Sequence, residues 1–119
     1  MTPGWRRHPL QLALGFSVWS VWFVCAYGGL SIGCSLRPPA PDEGSGTWIN
    51  LALALWTMAV AAGLTALAAA CWRARAPAAA DAPPVPQRFI APVAAVLHLA
   101  AAVATLFVGL PLVALPPCV

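Results

Sequence analysis

The sequence predicts an all-α membrane protein with three transmembrane helices, and three observations lead to that class. Of 119 residues, 61% are hydrophobic and 8% charged, too few polar groups for a water-soluble fold to cover its surface. Three stretches, 10–34, 48–72 and 89–113, are long and apolar; each exceeds the roughly 20 helical residues that cross a hydrocarbon core about 30 Å thick. The six cationic side chains, all arginine, sit at the ends of these stretches. They form no basic face interleaved with aromatics, which argues for a role in orientation and against nucleic acid as a partner. The three spans leave no room for a soluble domain, so residues 1–119 are expected to form a single three-helix transmembrane domain.

The first span follows Trp5, Arg6 and Arg7, an interfacial pairing of aromatic and cationic residues. Within it Phe16, Ser20, Phe23, Tyr27 and Ser31 share one helical stripe, flanked by Trp19 and Trp22. The stripe is expected to face the core, and Trp19 and Trp22 are the candidate partner face. Gly29 and Gly33 form a small-xxx-small pair with Ala26 one turn earlier, a surface that admits a neighbouring helix. Leu30 to Cys34 loosely matches a lipoprotein cleavage site, and Arg6 and Arg7 supply a positive n-region. The apolar run is too long and too aromatic for a cleaved signal, and Ser31 stands where a large aliphatic is preferred, so the helix is expected to stay uncleaved.

The first connection is rich in Pro, Gly and Ser, with Ser45 or Thr47 as candidate caps of the second helix. Trp48 and Trp72 bracket that span as interfacial anchors. Ala59 and Gly63, with Ala62 and Ala66 beside them, offer a second close-approach surface. The connection from Pro77 to Pro86 reads as an extended, semi-rigid spacer, and its Pro83–Pro86 pair, though it fits a PxxP pattern, reads as linker. The third helix is expected to begin near Phe89, with Pro92 in its first turn and Pro111 kinking or ending its last.

Five arginines fall on the side of the amino terminus and second connection, against Arg37 alone on the other. The positive-inside rule then places the amino terminus in the cytoplasm and the carboxyl terminus in the periplasm. The all-arginine, alanine-rich composition suggests a GC-rich bacterial genome by association, and the expected location is a bacterial inner membrane. With that topology Cys34 and Cys118 share the oxidising side, which predicts a disulfide between them. Cys25 lies in the membrane and Cys71 at the reducing face, and no Cys-x-x-Cys spacing suggests thiol redox chemistry.

Polar groups within the spans need partners, since an unpaired hydroxyl in hydrocarbon costs a few kcal/mol. Depth counted from mid-span sets Tyr27 level with Thr57 and Thr105. It sets His98 level with Ser17 or Ser20 and with Thr65, and on the same face as Ala102, Thr105 and Gly109. A neutral His98 bonded to a hydroxyl is the expectation; no second His, Met or carboxylate lies at its depth to complete a haem or copper site. Asp42, Glu43 and Asp81 fall in connections, leaving no carboxylate pair for acid–base work.

Trp22, Phe23, Tyr27, Gly28, Gly29, Ser31 and Cys34, read as WFxxxYGGxSxxC, resemble the first helix of small three-helix membrane proteins of proteobacterial haem–copper terminal oxidase clusters. The resemblance covers about a quarter of the chain and implies an accessory or assembly role beside an oxidase, without chemistry of its own. The expected function is therefore non-enzymatic and without cofactor: a lipid-embedded partner of other membrane subunits, or a self-associating one. The rival classes are a small oligomeric transporter or channel and a haem- or metal-binding redox protein.

Overall fold

A helix satisfies every backbone N–H and C=O within its own segment, which hydrocarbon demands of any spanning element. The computed structural model, which describes residues 4–75 and 84–118, consists of a 3-10 turn, Trp5–Arg7, and helices α1 (Leu10–Leu36), α2 (Trp48–Arg73) and α3 (Val85–Ala114). Among the described residues there is no strand, and three helices are long and apolar enough to cross a membrane. They run antiparallel in sequence order and give a narrow body of 65 × 18 × 18 Å.

Each boundary has a local cause. α1 stops at Leu36 because Arg37 precedes Pro38 and Pro39, and a residue before proline is pushed out of the helical region. α2 starts at Thr47, whose extended backbone lets its Oγ1 accept the Asn50 N–H at 3.3 Å. α3 starts four residues before Phe89: Pro84 is its N-cap and Pro86 lies in the first turn, where a missing N–H costs nothing. The expected extended spacer therefore ends by Pro84. Its remainder, 77–83, including Asp81 and Pro83 of the PxxP pair, lies outside the described residues. Pro111 does not end α3, which continues to Ala114 before the Leu115 N–H returns to Pro111 O.

α3 is the most buried helix and packs on both others, chiefly on α2, while α1 and α2 touch least. Its inward face is a stripe of small residues, Ala91, Ala94, Ala95, Ala101 and Ala102, into which His98, Thr105 and Gly109 fall at three- and four-residue spacing. Against it α2 lays Leu53, Thr57, Ala61, Leu64, Ala68 and Cys71. Close approach is thus supplied by α3. Gly29 and Gly63, expected to be packing glycines, have no atom within 4 Å of a Cβ built on them, and Ala59, Ala62 and Ala66 are exposed with Gly63. Gly33 does pack, against Ile49 and Trp48.

Trp22, expected on a partner face, is buried in a cluster with Ala26, Ile49 and Leu53, which joins α1 to α2. The stripe expected in the core faces outward instead. A helix cannot bury positions 22 and 26 and also 16, 23 and 27, which lie on another side of its circumference.

Candidate functional site

Polar side chains collect at three levels of an otherwise apolar bundle. At the amino-terminal end α1 presents Gln11 and, one turn on, Gly15 toward His98 of α3. His98 Nε2 stands 3.0 Å from Gln11 Oε1, and both side chains are fully buried. A neutral imidazole with its proton on Nε2 donates to that oxygen. Gly15 makes room for the ring, since a Cβ there would lie 2.6 Å from His98 Nδ1. His98 Nδ1 and Gln11 Nε2 have no hydrogen-bond partner.

This placement corrects the expected one. His98 faces the first turns of α1 rather than Ser17 or Ser20, because α3 slides along α1 toward the amino-terminal end and mid-spans do not coincide. Ser20 bonds back to Phe16 O at 2.9 Å, and exposed Thr65 to Ala61 O at 2.8 Å, both within their own helices. In the sequence Gln11 carries no signal of this role, because a glutamine at the edge of a span reads as interfacial.

At the middle level Thr57 and Thr105 are both buried, but Tyr27 is 44% exposed and meets neither. Thr105 Oγ1 donates to Ala101 O at 2.8 Å, Thr57 Oγ1 has no partner, and Gly109 lets the Thr57 side chain approach α3.

The other end is tied twice. Asn50 Nδ2 donates to Val113 O at 2.9 Å and Leu115 O at 3.0 Å, with Leu112 O at 3.3 Å, so α2 caps the last carbonyls of α3. Thr47 Oγ1 donates to Asn50 Oδ1 at 2.6 Å and fixes that amide. Cys34 and Cys118 form a disulfide with their Cα atoms 5.4 Å apart, joining the end of α1 to the tail beyond α3. Cys25 is an exposed free thiol and Cys71 a buried one.

Along the outside of α1, Phe16, Trp19, Phe23 and Tyr27 form a ladder with ring centroids 5.6, 5.6 and 4.6 Å apart. Trp19 is half-buried, reaching both the ladder and the core. The groove beside it, lined by Leu12, Phe16, Trp19, Leu97, Ala100, Ala101 and Ala104, is apolar and open.

His98 is enclosed by Gln11 and Gly15 on its two nitrogen edges, which suits a structural bond rather than axial ligation of a haem. Among the described residues no group of three or more His, Cys, Asp or Glu side chains is placed to hold a metal ion. No family model, curated protein or solved structure matches the chain.

Proposed function

We infer that the chain is a non-catalytic accessory or assembly partner of a larger membrane complex, with a haem–copper terminal oxidase as the instance its first helix resembles. It sits in a bacterial inner membrane, amino terminus in the cytoplasm and carboxyl terminus in the periplasm. The observation that carries this reading is the outward ladder from Phe16 to Tyr27, whose terminal hydroxyl makes no hydrogen bond within the chain among the described residues. Tyr and Trp ordinarily gather at the headgroups. Here they run through the middle of a span, where side chains lean toward the helix amino terminus and carry the Tyr27 hydroxyl further from water. An acceptor on a neighbouring subunit's helix removes that cost.

The charges support the orientation: Arg6, Arg7, Arg73, Arg75 and Arg88 share one end, while Arg37, Asp42 and Glu43 share the other with the disulfide. Purification from the native host in mild detergent, with identification of co-purifying proteins, tests the reading. Wild-type chain is expected to bring down other membrane subunits, and Tyr27→Phe to retain about threefold less of them, the average worth of one hydrogen bond in lipid. Isolation as a stable homo-oligomer alone would transfer the assignment to a transporter or channel; a bound metal or a haem absorption band would transfer it to a redox protein.

A further inference from the structure

The arginines at the amino-terminal end are gathered more closely than orientation requires. Arg7 Nε donates to Ala74 O at 3.1 Å, so the 3-10 turn is moored to the carbonyl end of α2, where the helix dipole favours a cation. Arg6, next to it, lies within electrostatic reach of Cys71 near the end of the same helix, and its Nε is buried with no hydrogen-bond partner. Arg73 is exposed one residue before the moored carbonyl, and Arg75 lies 4.5 Å over the Trp72 ring. Two segments more than sixty residues apart, as the separation of 67 between Arg7 and Ala74 records, thus bring four guanidinium groups to one helix end. Asp42 and Glu43 lie in the connection at the opposite end, so among the described residues no carboxylate offsets this charge.

Like charges brought to one helix end repel, by about 1 kcal/mol for a pair at 4 Å in water, less at greater separation and more where lipid lowers the dielectric. One helix terminus and one indole ring neutralise part of this, and the remainder calls for an anion at headgroup depth. The guanidinium fork matches a phosphate oxygen pair, and Trp5 and Trp72, both partly exposed, are the residues that sit among headgroups.

We propose that the end of α2 and the Trp5–Arg7 turn together form a binding site for the phosphodiester headgroup of an anionic phospholipid, held by Arg6, Arg73 and Arg75 on the platform that Arg7 builds. The site needs no change of fold and is independent of which complex the chain joins.

The test is native mass spectrometry of the full-length protein released from nanodiscs of phosphatidylcholine mixed with phosphatidylglycerol or cardiolipin. Wild-type protein is expected to retain anionic lipid well above its share of the bilayer. Arg6→Gln and Arg73→Gln should each lower retention about fivefold, the worth of one surface arginine. Arg6→Lys keeps the charge without the fork and should fall between. Arg37→Gln at the other end should leave retention unchanged, and an intact Cys34–Cys118 bond in each variant certifies the fold. Equal retention of phosphatidylcholine, or equal loss with Arg37→Gln, would overturn the proposal. Displacement of the lipid by millimolar inorganic phosphate would overturn the lipid as the source of the anion.

Discussion

A methyl group on Gly15 would stand 2.6 Å from His98 Nδ1 and 3.3 Å from His98 Cα, so the buried imidazole must shift or α1 and α3 must separate to accept it. Gly15→Ala is expected to destabilise the bundle by about 1–3 kcal/mol, the usual range for overpacking. Gly29→Ala meets open space and should shift stability by no more than about 1 kcal/mol, in the favourable direction, because alanine is the better helix former. Reversible unfolding in mixed micelles checks both; a Gly29→Ala variant that lost stability would place that surface in a contact within the chain. Gln11→Leu removes the acceptor of a buried imidazole and should cost about 1–3 kcal/mol in the same assay. Replacing both residues by apolar ones, Gln11→Leu with His98→Leu, should cost less than the sum of the two single changes, since no orphaned polar group is left.

At the scale of the element, the start of α2 and the end of α3 form one hydrogen-bonded unit. Thr47 caps α2 and orients Asn50, and Asn50 in turn caps α3. Thr47→Ala should cost about 0.5–2 kcal/mol through the lost cap. Asn50→Leu frees the carbonyls of Val113 and Leu115, and the expected sign is faster amide exchange in the last turn of α3 with the middle of the bundle unaffected. Thr47 was legible as a cap from its type and place before an apolar run. Asn50 was not, because a cap supplied by a different helix leaves no local signature. The start of α3 is not legible either, since Pro84 and Pro86 look like linker although a cap and a first turn tolerate them.

For the whole molecule, the disulfide encloses both connections and two of the three helices, closing a sequence separation of 84 residues. Cys34→Ser or Cys118→Ser should lower stability, by about 2–4 kcal/mol at most, because helices that persist in the unfolded membrane state leave less chain entropy to restrict. Each single variant should behave like the double one; mobility on non-reducing gels and unfolding in micelles give the two readouts. The bond and the Asn50 cap secure one end, while Arg7 on Ala74 O and the Gln11–His98 pair secure the other. Between them the contact relies on small residues of α3 and is apolar but for the buried hydroxyls of Thr57 and Thr105.

The amino-acid sequence by itself determined the three spans and the grouping of cationic residues at helix ends. Through topology it also brought Cys34 and Cys118 to one side. These follow from bilayer thickness, the cost of burying charge and the number of crossings, which act on a segment whatever its rotation. Tertiary structure alone decided which side of each helix faces inward: Trp22 in and Tyr27 out, Gly15 and Gly109 packed while Gly29 and Gly63 are open, Gln11 rather than a hydroxyl on His98. Lipid tails are as apolar as leucine, so in a membrane the buried and exposed faces of a helix carry the same hydrophobicity and periodicity cannot tell them apart.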